Sequence, residues 1–124
     1  MKAKRPVNLD LTTIRQPLAA ISSILHRISG VIVFLGIAGL LCLLDVSLTS
    51  EDDFNAVQAA ALSPVMRFLL WGVLSALAYH CVAGVKHLLL DLGLGESKEG
   101  GPRGAQLVFV VSAILIVLLG VWVW

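Results

Sequence analysis

The chain has 124 residues, of which 58% are hydrophobic and only 14% charged, with a net charge of +1. A soluble domain carries roughly 25% charged and about 45–50% apolar residues, so a soluble fold is excluded and one membrane domain, residues 1–124, is expected. The near-neutral balance leaves no basic footprint for nucleic acid.

The first residues, MKAKRPVNLDLTTIRQP, are polar and lack the apolar core of a cleavable signal peptide, so the mature protein is expected to keep them. Within the arm, residues 1–20, Leu9, Leu11, Ile14 and Leu18 have loose helical spacing. That spacing fits a short amphipathic helix on the membrane surface. An extended arm docking on a soluble partner fits as well.

Three apolar stretches follow, residues 28–44, 68–85 and 105–124. A helix needs about 20 apolar residues to cross a bilayer core. The pattern therefore predicts an all-α membrane protein with three transmembrane helices, over about 22–48, 64–92 and 104–124. Gly30, Gly36, Ala38 and Gly39 give the first helix close-packing room, for a helix of this chain or of a partner. Residues 45–63 read as an acidic loop with Glu51, Asp52 and Asp53. Ser63 is placed to cap the second helix, with Pro64 in its first turn. Gly93, Gly95, Gly100, Gly101 and Pro102 predict a helix-breaking loop before the third.

Lysines and arginines set the orientation. Lys2, Lys4, Arg5, Arg15 and Arg27 precede or open the first span, and Lys86, Lys98 and Arg103 flank the second loop. The N-terminus is therefore expected to be cytoplasmic and the C-terminus periplasmic, with Trp122 and Trp124 in the outer aromatic belt. Cys42 and Cys81 have no C-x-x-C spacing and read as small buried hydrophobes.

His80 stands out within residues 68–85, a run without Asp, Glu, Lys or Arg. A titratable group at membrane depth is costly and faces a partner or a cofactor, and imidazole is a common axial ligand of haem iron. Two such ligands need nitrogens about 4 Å apart, twice a metal–nitrogen bond of roughly 2 Å. His87 follows His80 by two helical turns, about 10.5 Å along the axis, so the two cannot hold one iron between them. Any second ligand is expected from another chain. Gly84, one turn beyond His80, leaves room for a flat macrocycle. A hydrogen bond from His80 to a nearby serine or backbone carbonyl would explain the residue without any haem.

A second constellation falls at the cytoplasmic ends of the first two spans. Ser23, Arg27 and Gly30 share one helix face by spacing, and His26 adjoins them. Lys86, His87 and Asp91 come to the same side from the antiparallel second helix, with His87 and Asp91 spaced to pair. Such groups suit an amphipathic ligand, a quinone head or haem propionates, although Arg27 and Lys86 singly are explained by snorkelling to phosphates.

The blocks Arg5-Pro6, Ser23-Ile24-Leu25-His26-Arg27-Ile28-Ser29, His80-Cys81-Val82-Ala83-Gly84-Val85-Lys86-His87 and Asp91-Leu92-Gly93 together resemble the cytochrome b membrane-anchor subunit of succinate dehydrogenase (respiratory complex II), in its proteobacterial form. The resemblance implies that His80 is an axial ligand of haem b, with the other ligand from a second, smaller anchor subunit. It implies that Ser23 and Arg27 line a ubiquinone site, and that His26 and Arg27 lie near the haem propionates. The implied partners are the second hydrophobic anchor, an iron–sulfur subunit, a flavoprotein subunit and the lipid of the bacterial inner membrane. Succinate itself would be oxidised in the flavoprotein, within the tricarboxylic acid cycle and aerobic respiratory chain. Lys86 stands where the family has arginine, keeping the charge without the planar fork. Leu90 replaces an aromatic residue or methionine, and the roles of Lys86, His87 and Asp91 stay open. The competing readings are a fumarate reductase anchor using menaquinone and a haem-free structural anchor.

Overall fold

The structure, a computed structural model, describes residues 5–10 and 12–124. Lys2, Lys4 and Leu11, used above for orientation and for the arm, lie outside these. Among the described residues the fold is all-helical: α1 (Leu18–Ser47), α2 (Glu51–Ala61), α3 (Pro64–Asp91) and α4 (Gly100–Val123). The helices α1, α3 and α4 are long and apolar enough to cross a membrane, so the protein is multi-pass.

The arm is not helical over residues 5–10. Asp10 instead makes a side-chain turn, accepting from the backbone N–H of Thr12 at 3.0 Å and its hydroxyl at 2.7 Å. The hydroxyl bond, with the backbone one, holds the Asp10 carboxyl below the usual carboxylate range. The α1 helix begins at Leu18, four residues before the predicted start, directly after Pro17 in extended conformation. At 30 residues it is about 45 Å long, more than the roughly 30 Å of hydrocarbon.

The segment expected as an acidic loop contains a helix. Ser50 caps α2, accepting from the N–H of Asp53 at 3.1 Å and donating to its carboxylate at 2.8 Å. Glu51, Asp52 and Asp53 fill the first turn, where negative charge complements the helix dipole. At 11 residues and with a polar sequence, α2 carries no membrane-span signature. Ser63 caps α3 through the Met66 N–H at 3.3 Å, with Pro64 at the helix start, as its sequence predicts.

The loop between α3 and α4 is shorter than expected. Gly93 and Gly95 take φ of +78° and +81°, the left-handed conformation that glycine adopts without strain. Gly100, Gly101 and Pro102 instead form the first turn of α4, with the Ser97 hydroxyl accepting from the Gly100 N–H at 2.9 Å. Proline is harmless there because first-turn N–H groups have no helical partner.

The central α3 packs against both α1 and α4, and α1 also touches α4. The buried residues are small: Ala83, Ala105 and Val108, with Ser22, Ser29 and Ser112. This is membrane packing, in which small residues let backbones approach and large apolar side chains face outward. Phe34, Leu35, Val117 and Val121 are accordingly exposed. So are Cys42 and Cys81, contrary to the expectation that they are buried; three helices are too few to cover both faces of each. Gly36 meets α3, where an added Cβ would lie 2.5 Å from Val73. Polar clasps help hold the bundle: Trp71 Nε1 donates to the Ile116 carbonyl at 3.0 Å, and the Tyr79 hydroxyl to the Ser22 carbonyl at 2.8 Å. Trp122 and Trp124 are exposed at the end of α4.

Candidate functional site

The packing of α3 on α1 turns His80 inward, onto α1. A side chain at Gly30 would bring its Cβ within 3.0 Å of His80 Cε1, so the bare backbone there lets the ring lie against the helix. His80 Nδ1 is 3.1 Å from both the Ser29 hydroxyl and the His26 carbonyl. Ser29 also donates to that carbonyl, at 2.7 Å. Nε2 has no hydrogen-bond partner among the described residues, yet it is not among the buried unpartnered atoms, so it is accessible from outside the chain.

His26 lies on His80 with ring centroids 4.2 Å apart and planes 14° from parallel. Its Nε2 edge passes Gly84, where an added Cβ would sit 3.4 Å away. Gly84 thus stands within ordinary van der Waals reach of the His26 ring. His87 continues the group, its ring centroid 5.1 Å from that of His26 and tilted by 47°. His87 Nε2 is 3.4 Å from the Ser23 hydroxyl, which also donates to the Ala19 carbonyl at 3.1 Å. The three histidines thus form one column between α1 and α3. The stack also removes His26 as an opposite ligand to His80: two parallel rings cannot both point a nitrogen at one atom between them. Among the described residues no three His, Cys, Asp or Glu side chains gather to hold a metal ion.

The second constellation divides. Ser23 and Gly30 face α3, whereas Arg27, about 40° around the helix from Ser23, is exposed. His87 turns to Ser23 instead of pairing with Asp91, which is exposed at the end of α3. Lys86 faces α4, its Cε 3.7 Å from where a Cβ at Gly104 would stand. Its stem lines an apolar groove of about 450 Å³ with Leu89, Leu107 and Val111. Lys86 turns to α4 and His87 to α1, so Lys86, His87 and Asp91 share an end of the bundle without converging on one point.

The nearby serine and backbone carbonyl given as an alternative explanation of His80 are Ser29 and the His26 carbonyl, whereas the Tyr79–Ser22 clasp was not expected. A signal was present: Ser22, His26 and Ser29 are spaced four and three apart, a polar stripe on an otherwise apolar helix. Such a stripe must face protein, and His80 and Tyr79 are the polar groups opposite it.

The fold and this column define a class: multi-pass membrane proteins that hold imidazole groups between apolar helices. The profile of the succinate dehydrogenase/fumarate reductase transmembrane subunit family matches residues 1–119, and the chain belongs to that family. It is 46% identical over 125 residues to a succinate dehydrogenase cytochrome b556 subunit of Coxiella burnetii, covering 100% of each chain. The subunit of the same name from Paracoccus denitrificans is 34% identical over 117 residues, 94% of this chain and 90% of that one. That of Rickettsia bellii is 30% identical over 120 residues, covering 97% and 92%.

Proposed function

We propose that this chain is the haem b-bearing membrane anchor of a succinate dehydrogenase, seated in the bacterial inner membrane with its N-terminus cytoplasmic. His80 carries the proposal. A histidine that ligates a metal through one nitrogen ordinarily gives the other to a carbonyl or similar acceptor. Here Nδ1 faces the His26 carbonyl and Ser29, while Nε2 is accessible and otherwise unengaged. The residues fit the group on that ground. Bound haem b would supply one-electron storage beside the electron route. The opposite ligand would come from a second anchor subunit, since neither His26 nor His87 is placed to serve.

Ser23 and Arg27 would bind a ubiquinone head group near the cytoplasmic surface, where an iron–sulfur subunit delivers electrons from a flavoprotein. Arg27 is exposed and free to hold developing negative charge on a quinol oxygen. Ser23 would donate a hydrogen bond, releasing the Ala19 carbonyl to do so. His26 and Arg27 would also reach the haem propionates. The family spans both directions of the reaction, and the succinate dehydrogenase names of the relatives favour the oxidative one.

The test is a reduced-minus-oxidised optical spectrum of the complete complex with His80→Leu. Loss or displacement of the b-type bands is expected; an unaltered spectrum would reject His80 as ligand.

A further inference from the structure

We propose that Ser29 is a positioning residue for the iron ligand: with the His26 backbone carbonyl it holds His80 as the Nδ1–H tautomer and orients its ring. The proposal rests on His80 being the ligand, as argued above.

The protonation follows from counting hydrogens. Two atoms face His80 Nδ1, each at 3.1 Å, the Ser29 hydroxyl oxygen and the His26 carbonyl oxygen. A carbonyl only accepts. The serine has one hydrogen, and its shorter contact, 2.7 Å to the same carbonyl, takes it. Both atoms therefore meet Nδ1 as acceptors, and Nδ1 must carry the proton. Turning the serine hydrogen toward a bare Nδ1 would set the nitrogen lone pair against the carbonyl oxygen. The bare nitrogen is then Nε2, the accessible one. Ser29 is buried at 5% exposure and the Gly30 backbone abuts the ring, so the triangle of Nδ1, hydroxyl and carbonyl is shielded from water.

An acceptor on the outer N–H makes an imidazole a more basic ligand. A more basic ligand favours ferric over ferrous iron. Removing the Ser29 acceptor weakens that effect, while the His26 carbonyl still fixes the tautomer. The ring loses one of its two hydrogen-bond restraints.

The experiment uses the assembled complex with Ser29→Ala and Ser29→Thr. It reads haem stoichiometry, the midpoint potential of the b-type absorbance and the low-temperature EPR g values of the oxidised haem. Ser29→Ala is expected to retain haem, shift the midpoint potential upward and move the largest g value. Ser29→Thr, which restores the hydroxyl, is expected to return both toward wild type. Loss of haem in the alanine variant with retention in the threonine variant also supports the hydroxyl's role. Wild-type potential and g values in Ser29→Ala overturn the proposal. So does haem loss from both variants in an assembled complex, which would mark Ser29 as a space requirement only. His80→Leu with an intact spectrum would instead sink the ligand assignment itself, so the two failures are distinguishable.

Discussion

His26 and His80, 54 residues apart in the chain, stack with centroids 4.2 Å apart and planes 14° from parallel. The stack restrains one face of His80 while the Gly30 backbone limits the ring on α1. Aromatic pairs of this kind contribute about 0.5–1.5 kcal/mol beyond the area they bury. His26→Ala removes the ring but leaves the carbonyl that faces Nδ1. Haem is then expected to remain bound in the complex, with its b-type absorbance lost at a lower temperature than in wild type. His26→Phe should restore most of that thermal resistance, because it replaces the ring without the nitrogens. If phenylalanine is no better than alanine, hydrogen bonding by His26, not stacking, is what the site uses.

Much of this architecture was legible in the sequence, because the requirement for long uncharged apolar helices is strict in lipid. The three spans and the cap at Ser63 followed from composition and local chemistry alone. The α2 helix did not, since its 11 polar residues look like any surface loop until Ser50 is seen capping Asp53. The start of α4 was misplaced because glycine and proline mark a loop and a first helical turn equally well. At the site, His80 announced itself by its cost, and Ser23, His26 and Arg27 by a motif. Their partners depended on the rotation of α1 against α3. That rotation brings Ser29 to His80, places His26 over Gly84 and leaves Arg27 outside. Spacing on one helix cannot supply it.

Gly36 tests the α1–α3 contact directly. An added Cβ there would lie 2.5 Å from a Val73 methyl, closer than carbon atoms tolerate. Gly36→Ala is expected to destabilise the complex by about 1–3 kcal/mol, the usual cost of overpacking. Val73→Ala in the same chain should recover most of the loss, measured as the midpoint of thermal unfolding in detergent. Gly39→Ala, which meets nothing within 4 Å among the described residues, serves as the control. A destabilising Gly39→Ala would reveal a partner helix packed against that position.

Ser23 and Arg27 should respond differently if they bind quinone. Arg27 is exposed and its charge has no competing bond among the described residues, so Arg27→Leu is expected to lower quinone reduction by about 100-fold, as loss of a charge-stabilising donor does. The Ser23 hydroxyl already donates to the Ala19 carbonyl, and its net gain from a quinone is smaller. Ser23→Ala is expected to cost about tenfold, one ordinary hydrogen bond. Both variants should keep the b-type spectrum and the succinate–dye activity of the soluble subunits. Unchanged quinone reductase rates in both would remove the two residues from the site.

Ser112 is buried on α4 with 2% exposure, and its hydroxyl has no hydrogen-bond partner among the described residues. An unsatisfied buried hydroxyl costs about 1–3 kcal/mol, while a small side chain at this place is needed for the helices to approach. Ser112→Ala keeps the small size and discards the orphan group. It is therefore expected to leave activity and spectrum unchanged and to raise the thermal midpoint of the complex. Ser112→Val adds volume at a buried position, and it should lower that midpoint by forcing α4 away from its neighbours. A lowered midpoint in Ser112→Ala would mean that the hydroxyl gains a partner in the assembled membrane complex, a bridging water or a neighbouring subunit. Comparing the two variants separates the cost of an unpaired hydroxyl from the need for a small residue.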